Sequence, residues 1–354
     1  RFADSELEVA LEATTGWRFV VQELDRVGAR AHLAEPAETS ALRGRKQHAK
    51  TDRADARHLR ELLMVGRLPE CWIAPDHLLD LRARVRLRHA IVDERGEWQQ
   101  RIRAVLYHHG LAHRAELNLM RTGGRQWLEG LALSDGARQQ VTIAVQIADA
   151  LDARLPELDR YLRSYARRQP GCQAVQAHYG IGPLTAVALV AELGDCRRFS
   201  SSRQVVRYAG MDITVHQSDR RRAPGHLSRQ GPPVIRWALY EAAQHATRPA
   251  SPDYAYYHQT AKRLGHNRAC LTIARKLLKR SYHTSRTSAS KRSRPSETPT
   301  GSRRAHEPFV HRCTAIAPER SLPPPATGGR PPKIEHRIDR VPCGTPSPSC
   351  RRHR

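Results

Sequence analysis

Three acidic side chains near the start of the chain have a spacing that suits phosphate chemistry. Glu12 ends the segment 7–12, in which apolar and polar residues alternate with the period of a β-strand. Asp52 and Asp55 follow Thr51, where a helix is predicted to begin, and their spacing of three places both carboxylates on one helix face. Carboxylates at the carboxyl edge of a parallel sheet are hard oxygen ligands, which Mg²⁺ uses to hold phosphate. In the alternative, Asp52 and Asp55 only stabilise the helix N-terminus.

The elements around these carboxylates predict an α/β segment. After the first strand, apolar residues at helical spacing begin at Trp17, and Gly28 closes that helix. A second short strand is predicted at 29–34. A strand, a helix and a strand within such a short length are typical of a parallel crossover unit. The polar segment 37–50 is predicted to be a loop that leads to the helix starting at Thr51.

The middle of the chain, from Asp76 to about Arg168, is predicted to form long basic helices. Apolar residues form a seam that begins with Leu78 and Leu81. Seven arginines lie on the same stretch within 22 residues: Arg82, Arg84, Arg86, Arg88, Arg95, Arg101 and Arg103. Long basic amphipathic helices favour a coiled-coil-like arm that lies beside nucleic acid. A solvated helix face is the alternative for any single arginine.

Two glycines, Gly180 and Gly182, come just before a further predicted helix. A Gly-x-Gly turn at a helix start directs backbone N–H groups outward, and such groups can hold a phosphate of the DNA backbone, as helix-hairpin-helix modules do. A tight turn between packed helices would need the same glycines. The remainder, through Arg280, is predicted to be mainly helical, with one turn-rich polar insert at 214–231.

The composition favours a nucleic-acid partner and excludes other classes of protein. The formal net charge is +25, and 285–354 contributes 15 Lys and Arg against 5 Asp and Glu, so most of the excess lies before this tail. The chain contains no run of 18 apolar residues, which excludes a transmembrane protein and a membrane partner. The seven cysteines include no Cys-x-x-Cys pair, which argues against a zinc ribbon and fits a reducing cytoplasm.

Several blocks, in order, resemble the DEDD transposases of bacterial insertion sequences, the IS110 group, over about residues 5–280. The blocks include Glu12-Ala13-Thr14-Thr15-Gly16, Lys50-Thr51-Asp52-Arg53-Ala54-Asp55-Ala56, Gly180-Ile181-Gly182-Pro183-Leu184-Thr185-Ala186, Glu192-Leu193-Gly194-Asp195 and Gly225-His226-Leu227-Ser228-Arg229-Gln230-Gly231. The resemblance implies a resolvase-like, RNase H-type α/β domain with four acidic residues that bind a divalent metal, Mg²⁺ by default. Glu12, Asp52 and Asp55 match the second, third and fourth, and the first would lie upstream of Arg1.

The resemblance also implies a nucleophile. In this family a serine of the second domain attacks a DNA phosphodiester and forms a phosphoserine link, and the matching residue is Ser218. Without the resemblance, Ser218 would be interpreted as a plain loop serine. The family usually has glycine where Asp219 stands, and this carboxylate would repel phosphate. The neighbouring Arg220, Arg221 and Arg222 could offset its charge.

The implied partners are DNA, a structured non-coding guide RNA encoded by the element, and further copies of the chain. Four regions are expected: a truncated resolvase-like DEDD domain at 1–75, a basic helical arm at 76–168, a mainly helical C-terminal transposase domain with a helix-hairpin-helix-like turn at 169–284, and a disordered tail at 285–354. The tail holds 12 of the 23 prolines. Its composition suits either an out-of-frame reading or a basic RNA-binding segment.

Three hypotheses follow from these patterns. The first is a transposase that cuts and rejoins DNA with metal-binding carboxylates and a serine nucleophile. The second is a resolvase-like nuclease that hydrolyses DNA junctions with water and has no need of Ser218. The third is an inactive remnant that binds nucleic acid through its charge alone.

Overall fold

The computed structural model describes residues 6–43, 51–111, 117–214, 217–218, 221–222 and 225–292. All of them belong to one of the two compact units into which the chain divides, residues 1–296. The second unit, 297–354, and with it most of the predicted tail, lies outside the described residues.

The N-terminal segment is an α/β unit, as the alternation of residue types predicts. It contains β1 (Glu8–Glu12), α1 (Trp17–Arg26), β2 (Arg30–Ala34), α2 (Pro36–Ala41) and α3 (Asp52–Met64). Strands β1 and β2 pair in parallel, with Glu12 opposite Ala34. The parallel crossover is therefore confirmed.

One local prediction for this segment is wrong. The first part of the predicted loop at 37–50 belongs to helix α2. The Glu35 side chain caps α2 by accepting a hydrogen bond from the Glu38 N–H, and Pro36 occupies the first helical turn, where its missing N–H costs nothing. Residues 44–50 lie outside the described part of the chain.

The middle of the chain is helical, as predicted. It consists of α4 (Asp76–His108), α5 (Thr122–Glu129), α6 (Asp135–Asp152) and α7 (Leu155–Arg168). Helix α4 packs along α6. Its distal half buries Ile102 and Leu106 in a small separate core with Leu128 and Val141.

The C-terminal part holds the largest core. Its helices are α8 (Pro170–Gln176), α9 (Pro183–Leu193), α10 (Ser202–Tyr208), α11 (Pro233–Gln244), α12 (Tyr254–Leu264) and α13 (His266–Arg292), and its two short strands are β3 (Gln217–Ser218) and β4 (Arg221–Arg222). Leu189, Leu239 and Leu277, from α9, α11 and α13, are fully buried together. The tail was expected to begin at Ser285, but helix α13 continues through 285–292 and ends at Arg292.

The fold class is therefore a small α/β segment followed by a larger helical part, and the described residues are mostly helical. Among these helices, none combines the length and the apolar character needed to cross a lipid bilayer.

Candidate functional site

The sequence-predicted carboxylates lie on two elements that pack against each other. Glu12 ends β1, and α3, which carries Asp52 and Asp55 in its first turn, packs on this strand. Thr51 begins α3 by accepting a hydrogen bond on its hydroxyl from the Ala54 N–H at 3.2 Å. Glu12 and Asp55 are half-buried and Asp52 is exposed. We call Glu12, Asp52 and Asp55 the acidic edge.

The acidic edge has the donor chemistry of a divalent-cation site without a completed ligand shell. Asp55 Oδ1 lies 2.7 Å from Arg43 Nη1, and this buried oxygen has an ion-pair partner but no hydrogen bond. Within the described ranges, no group of three or more His, Cys, Asp or Glu side chains is arranged to hold a metal ion. The donors are therefore of the type that Mg²⁺ accepts, and a guanidinium currently balances one of them.

Ser218 lies on a β-ribbon between helices α10 and α11. We call the described parts of 211–229 the ribbon. At its base, Ile213 bridges Leu227, the Thr214 N–H donates to the His226 carbonyl at 2.8 Å, and the Ser228 N–H donates to the Asp212 carbonyl at 3.0 Å.

Strands β3 and β4 pair in antiparallel fashion, which places the backbone of Ser218 opposite Arg221. Arg222 lies on the same strand as Arg221, opposite Gln217. We call this strand pair, the part of the described ribbon farthest along the chain from its base, the ribbon tip. Residues 219–220, with Arg220, lie outside the described residues.

Two arginines of the predicted basic arm hold the C-terminus of helix α9. Arg82 Nε and Nη2 donate to the carbonyls of Ala191 and Glu192 at 2.7 and 2.9 Å. Arg86 forms a two-pronged pair with the fully buried Glu192 carboxylate, at 2.9 and 3.0 Å, and this hydrogen bonding raises the pKa of Arg86. These two side chains therefore join α4 to the C-terminal core, a contact that sequence reasoning missed because Glu192 lies over 100 residues away.

Of the other five arm arginines, two pair with carboxylates, two stack on aromatic rings, and Arg103 does neither in the described contacts. Arg88 pairs with Asp159, and Arg95 pairs with Asp152 at 2.8 Å. Arg84 stacks over the ring of Tyr161 at 4.4 Å, and Arg101 stacks over that of Trp98 at 4.0 Å. The Nε atom of Arg103 is buried and makes no hydrogen bond within the described residues. Stacked guanidiniums keep their N–H groups free to contact phosphate, whereas the carboxylate-paired ones are already engaged.

The predicted glycine turn opens helix α9 and borders an open groove. Gly180 has φ 88°, and a Cβ added there would lie 2.4 Å from the Ala242 carbonyl oxygen, so close packing against α11 requires this glycine. Gly182 has open space around it. The groove, of about 520 Å³, is also lined by His178, Tyr179, His245 and Arg248, and none of its lining residues in the described part of the chain is acidic. Burial, and next the charge of Arg280, lower the pKa of His178.

The sequence matches two transposase family models and several transposases. The model of the Transposase IS116/IS110/IS902 family matches residues 172–259, and the model of the IS110-type DEDD transposases matches residues 2–109. The transposase of insertion sequence IS1111A from Coxiella burnetii is 26% identical over 211 residues, which are 56% of this chain and 56% of that protein.

Two further relatives extend this comparison. The y4rJ protein of Sinorhizobium fredii, described as a transposase, is 29% identical over 322 residues, covering 78% of this chain and 80% of that protein. The 44.8 kDa protein of insertion element IS116 from Streptomyces clavuligerus is 28% identical over 128 residues, or 36% of this chain and 32% of that protein. The chain thus spans about half the length of the IS1111A transposase and a third of the IS116 protein.

Proposed function

The chain belongs to the IS110 family of DEDD transposases, and we propose from this premise that it cuts and rejoins DNA as the transposase of an insertion sequence. One observation carries the proposal. The acidic edge lies within the stretch matched by the DEDD model, and the ribbon with Ser218 lies within the stretch matched by the second model. In the proposal, each matched stretch would contribute one half of a two-part active site.

In this proposal, 1–75 is an RNase H-like catalytic domain whose Glu12, Asp52 and Asp55 hold a divalent cation, Mg²⁺ by preference. The support is the type of the donors and the packing of α3 on β1. When bound, the cation would polarise the phosphate oxygens and offset their charge. The carboxylates that hold it would also orient the scissile phosphate, and Asp55 would exchange the Arg43 guanidinium for the cation.

Ser218 is the proposed nucleophile. Its Oγ would form a bond to phosphorus as the bond from phosphorus to the leaving deoxyribose oxygen breaks. The hydroxyl proton would pass to a carboxylate of the acidic edge, and the leaving oxygen would take up a proton. The phosphoserine link preserves one phosphoester bond in each step, so a second strand's hydroxyl can reverse the attack and rejoin DNA. The pairing of the Ser218 strand with the arginine-bearing strand β4 supports this role, because cationic residues next to the serine would attract a DNA phosphate.

Nucleic acid would be held at three places: the stacked arm arginines Arg84 and Arg101, the groove at Gly180 and Gly182, and the ribbon arginines Arg220, Arg221 and Arg222. The arm at 76–168 would contact a guide RNA through its phosphates, so that base pairing selects the sequence and the protein grips shape and backbone. A homo-oligomer would allow the acidic edge of one copy to meet the ribbon of another. The domain at 169–284 would carry the serine.

The decisive experiment replaces the two halves separately. Glu12→Ala, Asp52→Ala and Asp55→Ala should each abolish strand exchange in an assay with donor DNA, target DNA and the RNA, while gel-shift affinity for nucleic acid is retained. Ser218→Ala should abolish exchange and the covalent protein–DNA adduct. Loss of RNA binding in the acidic variants would contradict the proposal.

The same variants separate the two alternatives. A junction nuclease would keep cleaving after Ser218→Ala, because water would replace the hydroxyl. A protein that only binds nucleic acid would show no strand exchange in its unmodified form. An active unmodified protein excludes this alternative.

A further inference from the structure

The guanidinium of Arg236 binds both chain segments at the root of the ribbon, the point where the ribbon enters and leaves the helical core. Arg236 lies in the first turn of α11, and its Nη1 donates to the Ala209 carbonyl at 3.2 Å and to the Gly231 carbonyl at 2.7 Å. Ala209 precedes the first ribbon segment and Gly231 follows the last one. A single nitrogen therefore binds the segment that leads into the ribbon and the segment that leads out of it. Burial, and next the charge of Arg229, lower the pKa of Arg236.

A second arginine reaches the same root from another helix. Arg275, on α13, donates from Nε to the Met211 carbonyl at 2.7 Å. Burial lowers its pKa, so the core accepts a partly desolvated cation at this point. The Ser228 hydroxyl donates to Asp212 Oδ1 across the base of the ribbon. Both strands of the ribbon are thus fixed to helices that belong to the largest core.

The backbone segments at the root of the ribbon pack directly against one another. A Cβ on Gly210 (φ 63°) would lie 2.8 Å from backbone atoms of Arg229 and Gln230, and a Cβ on Gly231 would lie 2.2 Å from the Tyr208 carbonyl oxygen. Arg229 itself has φ 54°, a conformation that few non-glycine residues adopt. Backbone packed directly on backbone permits few alternative directions for the ribbon.

From these contacts we propose that Arg236 and Arg275 are positioning residues, which fix the direction of the ribbon and thereby place Ser218 for attack on DNA. The proposal rests on the function proposed for Ser218. The two arginines donate to the backbone carbonyls of Ala209, Met211 and Gly231, which flank the ribbon strands on both sides along the chain. The N–H groups committed in this way, on Nη1 of Arg236 and Nε of Arg275, orient the backbone at the root of the ribbon.

The test measures ribbon order and chemistry separately, in the full chain. Arg236→Met and Arg275→Met remove the donors and keep much of the side-chain volume, Arg236→Lys restores a cationic donor, and Arg203→Met removes an exposed arginine of α10 as the control. Hydrogen–deuterium exchange at the Thr214 and Ser228 amides, which close the base of the ribbon, should rise about tenfold or more in both methionine variants. Amides of α9 should keep their protection.

Strand exchange should fall by about tenfold or more in these variants, with nucleic-acid affinity within about threefold of the unmodified protein. Arg236→Lys should recover part of both effects, and Arg203→Met should change neither. Unchanged amide exchange in the ribbon would overturn the proposal. So would a loss of affinity parallel to the loss of activity, which identifies a nucleic-acid contact, or a rise in exchange throughout the core, which identifies a general stabilising role.

Failure of the underlying function gives a different result. If Ser218→Ala keeps full DNA strand exchange, the serine mechanism is wrong. Faster hydrogen–deuterium exchange of the ribbon amides in Arg236→Met would still establish that Arg236 anchors the ribbon. If Ser218→Ala is inactive and both methionine variants remain fully active, the anchoring is irrelevant to placement and this inference alone fails.

Discussion

The acidic edge and the ribbon are the two regions to which chemistry is assigned, and they are supported in different ways. Around the acidic edge, α1 contains no buried residue, and α3 buries only Leu59 and Leu62. The ribbon emerges from the largest core, and its root is fixed by Arg236 and Arg275. The same contrast holds for the backbone: a Cβ on Gly16 would meet open space, whereas one on Gly210 would meet backbone atoms.

This difference indicates how the two halves would come together. Side chains on a thinly packed edge can change rotamer and partner at small cost, as the Arg43–Asp55 pair requires if a cation is to replace the guanidinium. A ribbon root packed backbone against backbone cannot adjust in the same way. In the proposed function, the root of the ribbon would therefore be the more rigid support, and the carboxylates would gather around a bound cation or substrate.

The largest expected effect comes from a pair of glycine substitutions, one in each region. Gly210→Ala combines a left-handed backbone conformation with a backbone clash and should cost about 3–5 kcal/mol of unfolding free energy. Gly16→Ala has the same unfavourable sign of φ, at 91°, without the clash, and should cost about 1–2 kcal/mol. Urea denaturation followed by circular dichroism measures both. Equal losses in the two variants would refute the contrast in packing.

A second pair of variants compares an ion pair at the core with one at the acidic edge. Glu192→Ala leaves Arg82 and Arg86 without their buried carboxylate and should cost about 2–3 kcal/mol, less than a fully buried pair because the Arg86 side chain is 54% exposed. Asp55→Ala should cost about 1 kcal/mol or less, because water can solvate the released Arg43.

Glu192→Gln is the control for this pair, since the amide keeps an oxygen acceptor of nearly the same shape, and this variant should lose less stability than Glu192→Ala does.

The arm arginines were expected to contact nucleic acid, and this prediction stays untested. If Glu192→Ala leaves both stability and nucleic-acid affinity unchanged, the joint between α4 and α9 has no structural role.

Acid should weaken the C-terminal core through one buried carboxyl, that of Asp253. Burial disfavours ionisation of Asp253, but hydrogen bonds from Arg280 and Lys276 outweigh it and lower the pKa of this carboxyl. Because the folded pKa lies below the unfolded value of about 3.9, the stabilisation is present above that value and is lost as pH falls through the folded pKa. Asp253→Asn should cost about 1.5–2 kcal/mol at pH 7.

The difference between the unmodified protein and Asp253→Asn should shrink below about pH 4. Urea midpoints at pH 7, 5 and 3 measure it. A difference that stays constant down to pH 3 would show that charge is not the source of the stabilisation.

Local sequence patterns predicted most of the helices and strands near the acidic edge, whereas contacts between distant residues could not be predicted from the sequence. Alternation and helical spacing predicted β1, α1, β2 and α3, and the Thr51 cap is present where the sequence suggested it. Helix α2 was missed because its short polar sequence has little periodicity, and only the Glu35 cap and Pro36 identify it.

The candidate site was only partly predictable for the same physical reason. Asp52 and Asp55 share a helix face by local geometry, so their placement follows from spacing alone. The partner of Arg86 is Glu192, and the groove at Gly180 includes His245 and Arg248, contacts set by how helices pack. Ser218 had no local signal, since its place at the ribbon tip depends on pairing between two very short strands.

The smallest expected effect tests whether the acidic edge depends on its helix start. Thr51→Ala removes the cap at Ala54 N–H and should cost about 1 kcal/mol, and Thr51→Ser should retain most of it. Ser134→Ala removes the matching cap of α6, at Ala137 N–H, and should cost a similar amount far from any predicted ligand. The two alanine variants therefore match in stability and differ in the region that frays.

Cation binding separates them. If Asp52 and Asp55 are ligands, Thr51→Ala should weaken Mg²⁺ affinity a few-fold in calorimetric titration, because the first turn of α3 must order before both carboxylates can bind, whereas Ser134→Ala should leave it unchanged. Equal affinities in both variants would show that the fraying turn carries no ligand. The acidic edge would then be reduced to Glu12 and to helix-stabilising charges, and the comparison with the ribbon would become one between a structural surface and a site.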